Sequence, residues 1–156
     1  MNGKPSLVYV LIILWILVGI LFAGTLIKRT TDHLDYLEQT EGYSSYFDDS
    51  FNTLQNFSFY LYALLFIAII IISCLLVYGM LLDKKWSWLI SIMLTSFLGM
   101  FLFMGIYMIG AASIMENFSE YFENFEFITY LLMIFIVPIL LFILMRPEVK
   151  SHFGKN

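Results

Sequence analysis

Three carboxylates, Glu116, Glu120 and Glu123, recur at i, i+4 and i+7, a spacing that on a helix sets them along one face. Together with Asp48 and Asp49 they could offer oxygen ligands to a hard divalent cation such as Ca²⁺. The plainer reading is a solvated acidic face. No calcium-loop pattern accompanies these acids, and His33 alone among them is no transition-metal set. The single cysteine, Cys74, lies in a long apolar run, where burial disfavours the thiolate, so it reads as a small apolar residue rather than a nucleophile. Two Asn-Phe-Ser sequons, at Asn56 and Asn117, abut apolar stretches, and their use stays open. These residues assemble no catalytic constellation, so the chain is expected to be neither an enzyme nor a holder of a metal or cofactor.

The elements that carry these groups follow from composition. Of 156 residues 61% are hydrophobic and 13% charged, and the mean hydropathy is +0.87, which describes a membrane protein rather than a soluble globule. One cysteine cannot pair within the chain, and 8 basic residues against 12 acidic ones exclude a nucleic-acid binder. A hydrocarbon core about 30 Å thick needs roughly 20 apolar helical residues. Four stretches qualify, and they predict helices over residues 6–27, 59–82, 86–115 and 127–145 of a single transmembrane domain spanning residues 1–156. Pro5 suits the first turn of the first helix. A cleaved signal peptide competes there, but the apolar run is too long and Ala23-Gly24-Thr25 is a poor cleavage site. Residues 86–115 would make a helix about 45 Å long, so it must tilt or project. Pro138 should kink or loosen the fourth helix. The expected fold is all-α: a polytopic, left-handed four-helix bundle in which a short turn makes the second and third helices antiparallel neighbours.

Lys4, Lys84, Lys85, Arg146, Lys150 and Lys155 lie in the tails and the middle turn, whereas the other two connections hold only Lys28 and Arg29. This bias predicts both termini in the cytoplasm. The other side then carries all the acid except Asp83 and Glu148, mostly in a longer acidic loop over residues 28–56. Within that loop Tyr43, Phe47, Phe51 and Leu54 recur at helical spacing, either an interfacial amphipathic helix or a loop with aromatic anchors. Similar aromatic-acidic segments at residues 46–49 and 121–124 suggest a two-plus-two duplication, with coincidence in so aromatic a chain the competing account.

None of the four spans contains an ionisable acid or base, so proton-coupled transport lacks its usual apparatus. Their hydroxyls can bond the carbonyl one turn back. Ser87, Ser91, Thr95 and Gly99 repeat every four residues, and Gly19 and Ala23 do so once, the small-xxx-small pattern of close helix approach. Packing within the bundle and contact with another subunit both fit it. Gly99→Leu is expected to disturb packing more than Leu98→Phe, since only Gly99 continues the small-residue face. Lys84, Lys85, Trp86 and Trp88 at one boundary, and Arg146 and Lys150 at another, read as membrane anchors.

These boundaries carry a resemblance. Gly79-Met80-Leu81-Leu82-Asp83-Lys84-Lys85-Trp86-Ser87-Trp88 and the segment from Arg146 to Phe153 resemble motifs of a group of uncharacterised small four-span membrane proteins of archaea and some bacteria. In that group Gly-Leu, a basic turn and Trp-Ala-Trp open the third helix, and Arg-Pro-x-Val-Lys-x-Tyr-Phe closes the fourth. Ser87 and His152 depart from the pattern, and the long acidic loop has no counterpart in it. The resemblance implies the architecture and a prokaryotic cell membrane, and it carries no catalytic residue.

The expected role is a structural or accessory membrane protein, packed on other integral membrane subunits or on itself, with an acidic outer cap for recognition. An oligomeric transporter or channel component is the alternative, with a path lined by hydroxyls between copies. A small subunit of a membrane enzyme complex, such as a copper-dependent monooxygenase, is a further one.

Overall fold

The computed structural model describes residues 4–40, 49–113 and 125–154, which are helical apart from short turns. The elements are α1 (Ser6–Thr40), α2 (Asp49–Leu81), α3 (Lys85–Ser113), α4 (Phe125–Leu144) and α5 (Pro147–Gly154). Three helices, over Ser6–Glu38, Asn56–Leu81 and Lys85–Phe103, are long and apolar enough to cross a membrane. The fourth candidate, Ile128–Leu144, qualifies together with α5, from which it is bent by 61°.

Two boundaries differ from expectation. Helix α1 does not stop at Ile27 but continues to Thr40, and α2 starts at Asp49, so much of the expected loop over residues 28–56 is helix. The chemistry is local and tertiary together. Residues 28–40 contain neither Gly nor Pro, Lys28 pairs with Asp32 one turn on, and the hydroxyls of Thr30 and Thr31 donate to the carbonyls of Leu26 and Ile27. The α1 extension then packs on the first turns of the expected second span: the His33 ring stacks on Phe59 at 4.0 Å and 11°, and the Arg29 guanidinium lies 4.6 Å over the Tyr62 ring. A polar segment beyond a span reads from sequence as a connecting loop, whereas a partner helix allows it to stay helical. Of the four apolar residues at helical spacing in that loop, Phe51 and Leu54 belong to α2, while Tyr43 and Phe47 lie outside the described residues.

Helix α5 is the other difference. The closing segment is not a simple anchor tail but a two-turn helix whose Val149 and Phe153, four residues apart, are fully buried. Helix α4 continues through Pro138, whose nitrogen cannot donate to the Ile134 carbonyl.

Pairwise packing closes a ring: α1 on α2, α2 on α3, α3 on α4 and α4 on α1, with α5 against α3 and α4. Trp15, Leu11 and Val8 of α1, Leu76 and Met80 of α2, Leu140 and Leu144 of α4 and Phe153 of α5 are all fully buried, so packing is tightest toward the α5 end. Toward the other end Phe22, Thr25, Phe66, Leu98, Leu102 and Thr129 leave a void of about 30 Å³, room for little more than a single water. The outer faces are as apolar as the core. Ile20 (63% exposed), Leu64 (69%), Met93 (72%) and Phe135 (62%) would each be costly in water and are at home in lipid.

The α2–α3 turn is built by helix-capping geometry. Asp83 adopts φ 54°, the Asp83 N–H donates to the Met80 carbonyl at 3.2 Å and the Lys84 N–H to the Gly79 carbonyl at 2.9 Å. This is a Schellman ending with Asp in the place usually taken by Gly, and it reverses the chain within three residues.

Candidate functional site

The small-residue stripe of α3 points into the protein. Ser87, Ser91 and Thr95 are fully buried, and the Thr95 hydroxyl donates to the Ser91 carbonyl at 2.6 Å. A strict four-residue repeat turns about 40° per step on a helix of 3.6 residues per turn, so by Gly99 the stripe has rotated well off the inward direction. Leu94, Leu98 and Leu102 take over the core, and Leu98 is itself 2% exposed. Leu98, which is no part of the small-residue stripe, is thus a core residue in its own right. Gly99 sits at the flank, where a Cβ would stand 3.5 Å from Val137 of α4, an ordinary contact.

The shorter stripe, on α1, is placed differently. Gly19 and Ala23 line an open groove of about 330 Å³ between α1 and α2, with Trp15, Ile16 and Ile20 from α1 and Ile70, Ser73, Cys74 and Val77 from α2. Close approach of the helices is what the glycine allows: a Cβ on Gly19 would lie 3.7 Å from that of Ser73. The Ser73 hydroxyl is satisfied by the Ile69 carbonyl at 2.8 Å, and Cys74 faces outward. Trp15 is fully buried, and among the described residues its indole N–H finds no acceptor. Such a group is expensive in a medium that offers no hydrogen bonds.

A polar cluster ties together three distant parts of the chain at the α5 end. Lys4 Nζ is 3.0 Å from Asp83 Oδ1 and also donates to the carbonyls of Met80, at 3.2 Å, and Leu81. His152 Nε2 lies 2.9 Å from the same carboxylate oxygen. Burial by itself would raise the Asp83 carboxyl, but hydrogen bonds from His152 and Lys4, with the Lys4 charge, bring it below its ordinary value. Beside the cluster, the Trp88 indole donates to the Leu144 carbonyl at 3.0 Å and so satisfies the end of α4. Trp88 is half-buried, and Trp86 is the more exposed of the two. Lys84, Lys85, Arg146 and Lys150 are exposed, and the Arg146 guanidinium lies 4.3 Å over the Phe142 ring.

No protein-family model, curated protein or solved structure matches the chain.

Glu116, Glu120, Glu123 and Asp48 lie outside the described residues, as does Asn117, and of Asp49 only its place at the start of α2 is described. Among the described residues no three His, Cys, Asp or Glu side chains gather as a metal site would require. Sequence reasoning missed the roles of Lys4, Asp83 and His152. A signal was present, since Asp83 and Glu148 are the two acids set apart from the rest, and an acid in a basic turn has cations to meet. Thr129 was missed as well: its hydroxyl is 3.1 Å from that of Thr25, which also donates to the Leu21 carbonyl at 2.9 Å. Only tertiary proximity reveals that pair.

Proposed function

We propose that the chain is an accessory integral membrane protein, a four-helix bundle with both termini in the cytoplasm, whose α1–α2 groove receives a transmembrane helix of a larger membrane assembly. The groove is the observation that carries this reading. It opens on the lipid-facing surface, its wall includes Gly19 and Ala23, and its volume of about 330 Å³ suits bulky side chains of a neighbouring helix. Small residues at such a place let backbones approach, and in lipid that close packing supplies association energy. The void among Phe22, Thr25, Phe66, Leu98, Leu102 and Thr129, at about 30 Å³, holds little more than a single water.

Cys74, the sole cysteine, lines the groove and is a ready reporter. A photo-crosslinker on Cys74 in native membranes should capture another polypeptide, and Ala23→Leu, which fills the groove from its wall, should abolish the product while leaving the protein folded. Capture of a second copy of this chain would shift the reading to the oligomeric alternative. Capture of lipid alone would remove it.

A further inference from the structure

We propose that the α2–α3 turn and α5 together form a basic belt that binds the headgroups of anionic phospholipids. The inference is independent of what occupies the α1–α2 groove and of which side of the membrane the belt faces.

The geometry sets the belt at one level. After Leu144 the chain bends by 61°, so α5 runs across the end of the bundle rather than along it. Burial of Val149 and Phe153 fixes its inner face. With 100° between successive residues, His152 falls on one flank of that face, where it meets Asp83, and Lys150 falls on the other. The contact between His152 and Asp83 and the bond from Trp88 to Leu144 hold the turn and α5 beside each other.

Charge then decides the occupant. The Asp83 carboxylate, which would otherwise neutralise its neighbours, is engaged by Lys4 and His152. Lys84, Lys85, Arg146 and Lys150 remain exposed and, among the described residues, in no ion pair, with Glu148 the one further acid nearby. Directly next to them Leu82, Trp86, Phe142 and Met145 expose apolar surface. Cations above an apolar, aromatic rim match a lipid whose phosphate carries net negative charge and whose acyl chains start just below it. Arg146, held over the Phe142 ring, sits at that border. The opposite end is unlike this one: Lys28 is paired with Asp32, and Arg29 is stacked on Tyr62.

Attraction of about 1 kcal/mol per basic residue near an anionic surface corresponds to roughly fivefold each, and four residues sharing the same lipids should give a preference of roughly tenfold or more over zwitterionic lipid. The test uses the full-length protein in vesicles that mix phosphatidylcholine with phosphatidylglycerol, one lipid at a time brominated near its glycerol. Quenching of Trp86 and Trp88 reports which lipid touches the belt, against a constant background from buried Trp15. The native protein should prefer phosphatidylglycerol, less so at high salt. Replacing the four cations together (K84Q, K85Q, R146Q and K150Q) should bring the preference to about one, and each pair replaced separately should lower it about threefold, which keeps the test if the fourfold variant fails to fold. The K28Q/R29Q variant should keep the full preference. The proposal is overturned if the fourfold variant and both pairs keep it, if K28Q/R29Q loses as much, or if inorganic phosphate at matched ionic strength displaces the lipid, which would mark a site for the free anion.

Discussion

Gly79 gives the sharpest test of how α2 meets α3. A Cβ built on it would stand 2.7 Å and 2.8 Å from the tip of the Trp86 ring and 2.8 Å from the Ser87 Cβ. Carbon atoms prefer separations of about 3.5 to 4.0 Å, so each contact falls short by roughly 0.7 Å or more. The two obstacles are unequal. The Trp86 ring tip is the far end of a partly exposed side chain and has room to swing, whereas Ser87 is fully buried and its Cβ moves only with the backbone of α3. Gly79→Ala should therefore push the first turn of α3 outward at an overpacking cost of about 1–3 kcal/mol. Alanine offsets about 1 kcal/mol of this through helix propensity, which leaves the variant less stable by up to about 2 kcal/mol. Gly19→Ala is the matched control, because its Cβ would meet Ser73 at an ordinary 3.7 Å and the propensity gain would stand alone. Reversible denaturation in mild detergent, followed by tryptophan fluorescence, should rank Gly19→Ala at or above the native protein and Gly79→Ala below it. Adding Ser87→Gly should restore Gly79→Ala more fully than adding Trp86→Ala. Equal stability of the two alanine variants would refute the close approach of α2 and α3 on which this reasoning rests.

Further outcomes follow from the polar contacts. Because the Asp83 carboxyl is held below its ordinary value, its contribution to stability should be fully present above about pH 4 and be lost as pH falls through the lower folded-state pKa; Asp83→Asn should show no such acid limb in a denaturation series. Asp83→Gly should be close to neutral near pH 7, since relief of the left-handed backbone offsets the lost ion pair, whereas Asp83→Ala should cost about 1–2 kcal/mol in the same assay. Trp88→Phe removes the donor to the Leu144 carbonyl and should speed amide exchange in α5 by roughly threefold to tenfold, as a bond worth about 0.5–1.5 kcal/mol implies. Thr129→Val should cost about 0.6 kcal/mol, the usual worth of an interhelical hydroxyl bond in a membrane, and the added change Thr25→Val should cost little more.

The spans were legible because lipid leaves the backbone one economical choice: an uncharged run long enough to cross must satisfy its own amides, so apolar length alone implied the helices. The basic turn between Leu82 and Trp86 was legible for a similar reason, since two lysines cannot sit deep in hydrocarbon and indoles favour the interface beside them. The direction in which a small-residue stripe faces was not. Ser87, Ser91 and Thr95 turn inward while Gly19 and Ala23 open onto the surface, although the two stripes read alike as sequence. What separates them is the rotation of each helix against its neighbours, which depends on every residue in the ring at once. Nor was the extent of α1 legible, because its polar residues beyond Ile27 are held against α2 by His33 on Phe59 and Arg29 on Tyr62, contacts between positions far apart in the chain. The joining of Lys4, Asp83 and His152 is of the same kind: each is an ordinary tail or turn residue until α5 folds back and brings the Lys4 ammonium and the His152 ring to one Asp83 carboxylate oxygen.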